Sequence, residues 1–186
     1  IVIGDVTVTE GADMNVDAVV PVSITNPSDE DTVITITQTA GTAGTDDYVE
    51  TTIVVTIPAG ETSTTVTIPV QSDDIDEATE TFAVNGTSPT ANTATPGTVT
   101  ILDDPTDVPT IVIGDVTVTE GADMNVDAVV PVSITNPSDE DTVITITQTA
   151  GTAGTDDYVE TTIVVTIPAG ETSTTVTIPV QSDDID

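Results

Sequence analysis

The stretch QSDDIDEATETF, residues 71–82, places five carboxylates within eight positions. The whole chain of 186 residues carries 33 acidic side chains and no Lys, Arg or His, which gives a formal charge of −33. Repulsion on this scale opposes a compact state, so each carboxylate must be solvated, protonated, held by neutral donors or bound to a cation. Crowded carboxylate oxygens without basic partners are typical ligands of Ca²⁺, which takes about six to eight oxygen atoms.

Composition and charge exclude several classes of partner. Nucleic-acid phosphates and anionic membrane surfaces are bound through Lys and Arg, which the chain lacks. No apolar run approaches the roughly 20 residues that a membrane span needs. We therefore expect no nucleic-acid partner and no membrane insertion. At the same time, 37% of the residues are hydrophobic and they are patterned, which indicates a folded protein rather than a disordered acidic segment.

The residue types that ordinarily drive catalysis are missing from the sequence. Without His, Cys or Lys, no ordinary base is present to activate a Ser or Thr nucleophile. A pair of carboxylates could serve a glycosidase, but just three aromatic residues are available to build a sugar-binding cleft, namely Tyr48, Phe82 and Tyr158. The sequence therefore predicts a protein that is not an enzyme and has no small-molecule substrate.

A long internal repeat sets the domain organisation. Residues 1–76 recur without change as residues 111–186, at an offset of 110 residues. A period of this size is that of a whole domain rather than of a solenoid unit of roughly 20–50 residues. The sequence predicts one complete domain over residues 1–104, followed by a linker over residues 105–110. Residues 111–186 are expected to be a second, identical copy that is truncated before its last two strands.

Alternating apolar and polar residues run through most of the first repeat. Val6 and Val8 alternate with Thr7 and Thr9, and a period of two recurs at six further places. This period is that of half-buried β-strands, and the Asn-Pro, Ala-Gly and Asn-Gly pairs between them are typical of turns. Seven short strands at this spacing predict an all-β, antiparallel Greek-key sandwich of the immunoglobulin-like type, repeated in tandem. The predicted strands, A to G, lie at residues 6–9, 20–24, 34–37, 53–57, 66–70, 82–84 and 99–101.

The predicted strand directions bring distant carboxylates to one end of the sandwich. If successive strands run alternately up and down, strands A, C, E and G end at the same pole, and acidic residues follow each of them. This convergence favours a calcium site with more than one ion, whereas Mg²⁺ is the weaker candidate because it prefers its own waters. The alternative is that the acidic loops are only solvated. The residues concerned are Glu10, Asp46, Asp47, Asp73, Asp74, Glu77, Asp103 and Asp104.

Four segments of the first repeat also resemble the pattern of Calx-β domains, namely VTVTEGAD (6–13), GTAGTDDY (41–48), SDDIDEATETF (72–82) and VTILDD (99–104). The resemblance runs the length of the first repeat and implies a calcium-binding sandwich. The sequence departs from the family pattern at Pro105, where a third Asp often follows strand G. The resemblance implies metal ligands at Glu10, Asp47, Asp73, Asp74, Glu77, Asp103 and Asp104, and in the second copy at Glu120, Asp157, Asp183 and Asp184.

Unaltered duplication of an acidic domain also resembles the extender regions of giant RTX-type adhesins. A spacer needs length but no diversity of residues, so the sequence predicts a calcium-rigidified spacer in a repetitive bacterial surface adhesin. Such a protein is secreted or held at the bacterial cell surface, and its partners are the neighbouring repeats of the same chain. Two alternatives stay open, a calcium-sensing regulatory module and a ligand- or glycan-binding adhesive module.

Overall fold

A computed structural model of the chain describes residues 1–12, 14–91, 94–122 and 124–182. The chain divides into two compact units, which consist of residues 1–74 with 78–107 and of residues 75–77 with 108–186. The first unit therefore extends three residues past the predicted domain boundary at residue 104. No helix in the described ranges is long and apolar enough to cross a membrane.

The first unit is a sandwich of two β-sheets, as the sequence predicts. One sheet has the strand order β1-β3-β6 and the other has the order β2-β8-β7-β4-β5. Strands β2 to β8 correspond to the seven predicted strands, whereas β1 is a short additional strand that pairs with the end of β3. The strands are β1 (Val2–Ile3), β2 (Val6–Thr9), β3 (Val16–Ser23), β4 (Thr32–Ala40), β5 (Ile53–Ile57), β6 (Ser63–Val70), β7 (Glu80–Thr87) and β8 (Gly97–Leu102).

The core of the first unit lies between these two sheets. Alternate residues along most of β3, β4 and β6 are buried, including Val20, Ile34 and Ile68, each of which is 0% exposed. The period of two puts these residues on the inner face and the intervening polar residues on the outer face. Burying each aliphatic side chain stabilises the fold by about 1.5–3 kcal/mol, which opposes the self-repulsion of the acidic surface.

One strand pair in the first unit departs from the predicted antiparallel arrangement. β2 pairs with β8 in parallel, whereas the other strand pairs described in this unit are antiparallel. The two strands are separated by most of the domain, so local sequence could not indicate that they are neighbours. Parallel pairing means that β2 and β8 end at the same pole of the sandwich, in agreement with the predicted strand directions.

Among its described residues, the second unit has fewer strands and a smaller core than the first. One sheet has the order β13-β10-β9 and the other consists of β11 and β12. Its core includes Val132, Ile144 and Ile167. Residues 75–77 belong to this unit because Asp76 donates its backbone N–H to the carbonyl of Pro137 at 3.0 Å. The strands are β9 (Ile111–Ile113), β10 (Val126–Ile134), β11 (Thr142–Thr147), β12 (Thr162–Ile167) and β13 (Ser173–Val180).

Gly41 and Gly151 occupy equivalent positions in the two repeats, but their surroundings differ. A Cβ atom on Gly41 would collide with the backbone carbonyl of Thr81 in β7, whereas a Cβ on Gly151 would meet no atom within 4 Å. We expect Gly41→Ala to destabilise the first unit by about 1–3 kcal/mol through overpacking. Gly151→Ala is the matched control and is expected to be neutral or slightly stabilising. Urea unfolding of both variants measures the difference, and equal effects would contradict the contact with β7.

Candidate metal centre

Two neighbouring strand ends position the first group of carboxylates. Thr9 at the end of β2 lies opposite Leu102 at the end of β8, so the residues that follow both strands lie side by side. The backbone N–H of Glu10 donates to the carbonyl of Leu102 at 3.0 Å, which continues the pairing one residue past β2. The side chain of Glu10 is thereby held against the segment after β8 and is only 7% exposed.

A tight turn after β8 brings a third carboxylate into the same place. The Oδ1 atom of Asp104 accepts hydrogen bonds from the backbone N–H and the hydroxyl of Thr106, both at 2.8 Å. The backbone N–H of Asp107 donates to the carbonyl of Asp104 at 3.0 Å and closes the turn. Such Asx turns form readily at Asp because its short side chain reaches the backbone two residues on. As a result, Asp107 is buried in the first unit, with 3% of its surface exposed.

Glu10, Asp103 and Asp107 form a group of carboxylates that could hold a metal ion. One carboxylate oxygen from each lies within 4.8 Å of the others. The Oε1 atom of Glu10 is buried, and no hydrogen-bond partner for it exists among the described residues. A buried carboxylate oxygen without a donor is costly, and the chain contains no basic side chain that could supply one. These oxygens therefore fit a hard cation.

Burial and negative charge both oppose ionisation of this group. Burial raises the pKa of Glu10 from 4.5 to about 7, and the charges of Asp73 and Asp103 contribute in the same direction. A backbone hydrogen bond with Asp104 lowers this pKa but does not offset burial. Burial also raises the pKa of Asp107, and the charges of nearby aspartates add to it. A bound cation would favour the ionised forms and so oppose these effects.

A pair of carboxylates in the first unit consists of Asp47 and Glu80, with oxygens within 4.8 Å of one another. Asp47 is positioned by its own loop, because its Oδ2 atom accepts the backbone N–H of Gly44 at 2.6 Å. Gln71, directly after β6, donates its backbone N–H to the carbonyl of Asp47 at 2.8 Å. The loop after β4 is thereby fixed to the end of β6, as the predicted convergence of strand ends requires.

The structure gives the predicted residues of the first repeat different roles. Glu10 and Asp103 belong to the first group and Asp47 to the pair with Glu80, whereas Asp104 forms the turn that positions its neighbour. Glu77 lies in the segment 75–77, which belongs to the second unit. The charges of Asp73 and Asp74 both act on Asp107, so these side chains lie close to the first group. The role of all these residues as metal ligands stays a prediction.

Sequence reasoning missed two members of these groups, Glu80 and Asp107. Glu80 begins β7, next to a predicted strand, and its position three residues after Glu77 was the available signal. Asp107 lies within the predicted linker, and the Asp-Pro-Thr-Asp pattern that turns the chain back was the signal for it.

The second repeat keeps the local turn but lacks the assembled groups. The Oδ2 atom of Asp157 accepts the backbone N–H of Gly154 at 2.6 Å, the same distance as for Asp47 and Gly44. Glu120 is exposed, whereas its counterpart Glu10 is buried. Asp183 and Asp184 lie outside the described residues. Within the described part of the second repeat, no three carboxylates come together as they do in the first.

Comparison with known proteins places this arrangement in a family. The family model of the Calx-beta domain matches residues 4–115 and 104–186, so the chain belongs to the Calx-beta family. This membership confirms the predicted resemblance to Calx-β domains. It also confirms that the chain belongs to a class of calcium-binding modules. The resemblance to RTX-type adhesins is a separate matter that the match does not address.

Two solved structures share the fold over nearly the whole chain. The first is the crystal structure of CBD12 from CALX1.2, with 18% identity, a TM-score of 0.51 and coverage of 97% of this chain and 76% of that one. The second is the calcium binding domain CBD12 of CALX1.1, with 20% identity, a TM-score of 0.51 and coverage of 94% and 71%. No curated protein sequence matched the chain.

Proposed function

We propose that the first repeat binds Ca²⁺ at the pole where β2, β4, β6 and β8 end, and that the chain is a calcium-stabilised structural spacer. The observation that carries this proposal is the buried Oε1 atom of Glu10, which lacks a hydrogen-bond donor among the described residues and lies in a group of three carboxylates. Glu10, Asp103 and Asp107 would hold one ion, and Asp47 with Glu80 would hold another. Hard oxygen ligands of this kind suit Ca²⁺.

Bound ions would join segments that are distant in the sequence. The first group links the end of β2 to the segment after β8, and the pair of Asp47 and Glu80 links the loop after β4 to the start of β7. Without a cation, the same carboxylates repel each other and loosen these connections. The role of the ions in the spacer is therefore to stiffen the pole of the sandwich.

The spacer role is supported by the unaltered duplication of 76 residues. A protein that recognises a ligand gains from divergence between its repeats, whereas a spacer needs only length and stiffness. We place the chain in a repetitive adhesin of the RTX type that is secreted or held at the bacterial cell surface. Its partners are then the neighbouring repeats, and the ligand-binding function lies in another part of the adhesin.

Calcium affinity tests the spacer against a calcium sensor. Isothermal titration calorimetry of the full chain should give dissociation constants of about 10⁻⁴–10⁻³ M, the range of extracellular modules. Single-molecule pulling in calcium and in EDTA should then show a higher unfolding force when calcium is present. Dissociation constants of about 10⁻⁷–10⁻⁵ M would instead indicate a sensor. An unfolding force that does not respond to calcium would contradict the mechanical role.

The raised pKa of Glu10 predicts a pH-dependent calcium affinity. A Glu10 side chain with a pKa of about 7 is mostly protonated at pH 6 and must lose its proton before it can bind calcium. We expect the affinity to fall by about tenfold for each pH unit below 7 and to level off above it. Calorimetry at several pH values, in buffers with different ionisation enthalpies, measures both the affinity and the proton release.

Glu10→Gln provides the test variant and Glu61→Gln the matched control. Loss of the Glu10 carboxylate should weaken calcium binding at pH 8 by on the order of tenfold to a hundredfold and flatten the pH profile. Glu61 is exposed in the turn before β6, and its substitution should change neither quantity. An affinity for calcium that is constant between pH 6 and pH 8 in the unaltered chain would refute the role of Glu10.

A further inference from the structure

The Asn85–Gly86 pair, the one Asn-Gly pair of the chain, lies inside a strand and not in a turn. Its sequence is typical of tight turns, so the turn predicted here is wrong. Both residues belong to β7 (Glu80–Thr87), where Asn85 is paired with Thr37 of β4 and Gly86 with Ile36. The pairing holds their backbone in the extended conformation of a strand, with ψ near about +135°.

Packing of the core explains why a glycine follows Asn85. Gly86 is buried on the inner face of β7, and a Cβ atom at this position would lie 3.0 Å from Cδ1 of Ile3 and 3.4 Å from Cγ2 of Ile34. A larger residue would require the core to shift. The fold therefore places next to Asn85 the residue type that hinders attack on its side chain least, because glycine has no side chain of its own.

The side chain of Asn85 lies on the outer face of the same strand. Its Nδ2 atom donates a hydrogen bond to the hydroxyl oxygen of Thr39 in β4 at 3.0 Å, and the residue is half-buried. This hydrogen bond fixes the side-chain amide against β4, while the pairing of the two strands fixes the backbone that follows it. Both partners of a possible reaction, the Asn85 amide and the Gly86 nitrogen, are thus held in place by β4.

We propose that Asn85 is a deamidation site that the folded first unit protects, and that opening of β7 exposes it to conversion into aspartate or isoaspartate. The backbone nitrogen of Gly86 forms a bond to Cγ of Asn85, the bond from Cγ to Nδ2 breaks, and ammonia leaves with the proton of the Gly86 N–H. Water then adds to one of the two carbonyl carbons of the cyclic imide and breaks the bond from that carbon to the nitrogen. Addition at Cγ gives aspartate, and addition at the backbone carbon gives isoaspartate.

Ring closure is incompatible with the extended strand. The Gly86 nitrogen reaches Cγ only after the backbone of Asn85 rotates out of the strand conformation, which disrupts the pairing of both residues with β4. A chemical step that is slow compared with opening and closing of the strand proceeds at a rate set by the population of the open form. This protection depends on strand pairing alone and is independent of the proposed calcium site.

The two products differ in their effect on the sandwich. Aspartate at position 85 leaves the backbone unchanged, and its carboxylate can accept a hydrogen bond from the hydroxyl of Thr39. Isoaspartate directs the main chain through the former side chain and adds one carbon atom to the backbone, which breaks the alternation of inner and outer residues in β7. We therefore expect a chain that contains isoaspartate not to refold its first unit.

Incubation of the full chain in urea and in native buffer tests the proposal, with calcium in both samples so that the comparison depends on unfolding alone. The chain has no Lys or Arg, but cleavage after acidic residues releases residues 81–103 for mass spectrometry. Conversion of Asn85 should be at least about a hundredfold slower in the native sample. Equal rates would show that β7 does not protect the site, and absence of conversion in urea would overturn the site itself.

Another asparagine and two variants provide the controls. Asn26 is exposed but precedes Pro27, which has no N–H, so it should not convert in either sample. Asn85→Gln should abolish conversion at this position over the same period, because the longer side chain has to close a larger ring. Asn85→Asp should refold after urea, whereas the chains that carry isoaspartate should not. Refolding of the isoaspartate chains, or failure of Asn85→Asp to refold, would contradict the proposed effect of the two products.

Discussion

Removal of calcium with EDTA is expected to lower the melting temperature of the chain by about 20–40 °C. A ligand that binds only the folded state, at a hundredfold excess over its dissociation constant, stabilises the fold by about 2.7 kcal/mol per site. Two bound ions would then contribute about 5 kcal/mol, which is comparable to the entire stability of many domains. For a unit of this size, each kcal/mol corresponds to a shift of about 4–8 °C. Differential scanning calorimetry measures the change.

The controls for this prediction separate a specific site from general screening. Sodium at equal ionic strength should restore only a small part of the lost stability, because it screens the charges but is not held by the carboxylates as a divalent cation is. Asp103→Asn should reduce the calcium-dependent shift, whereas Glu61→Gln should leave it intact. A melting temperature that is the same in calcium and in EDTA would end the calcium hypothesis.

Phe82→Ala is expected to destabilise the first unit by about 3–5 kcal/mol. Phe82 is 1% exposed and is the sole phenylalanine of the chain. Its ring stacks on the ring of Tyr48 with an angle of 12° between the planes, and it lies opposite Val99 in the neighbouring strand β8. Truncation removes the apolar burial of the ring and leaves a cavity, and both effects add to the cost. Urea unfolding in saturating calcium measures the loss.

Val54→Ala is the matched control for this substitution. Val54 lies on the outer face of β5 with 62% of its surface exposed, so its truncation should change stability by less than about 0.5 kcal/mol. The destabilisation caused by Phe82→Leu should lie between those of Phe82→Ala and Val54→Ala, because leucine fills part of the space that the ring leaves. If Phe82→Ala costs less than about 1 kcal/mol, the contact between β7 and the loop after β4 is not a principal source of stability.

The sequence by itself determined the strands of the sandwich and the side on which each faces the core. The alternation in residues 16–23 and 32–40 places small aliphatic residues on one face, and burial follows the same alternation in β3 and β4. The alternation predicts which side chains are buried because backbone geometry sets the period of a strand, whatever its neighbours are. The direction of successive strands also followed from short turns, and it brought Glu10, Asp47 and Asp103 to one pole.

The tertiary structure decided which carboxylates share a group. Asp107 was interpreted as part of a linker, but the turn capped by Asp104 folds it back towards Glu10. Glu80 stands at the start of β7, and only the packing of the loop after β4 brings Asp47 to it. Such proximity depends on contacts between residues far apart in the sequence, which no local pattern encodes. The short strand β1 and the parallel pairing of β2 with β8 were missed for the same reason.

The two repeats separate the contributions of sequence and surroundings. Residues 6–9 form β2, whereas the same four residues at 116–119 form no strand, and the buried Tyr48 has the partly buried counterpart Tyr158. A strand makes its hydrogen bonds to another strand and none within itself, so its sequence provides only the tendency to pair. Thus the sequence of the repeat determines which segments can become strands and which loops are acidic. In the first unit, the tertiary structure adds the pairing of β2 with β8 and the ring of Phe82 that covers Tyr48.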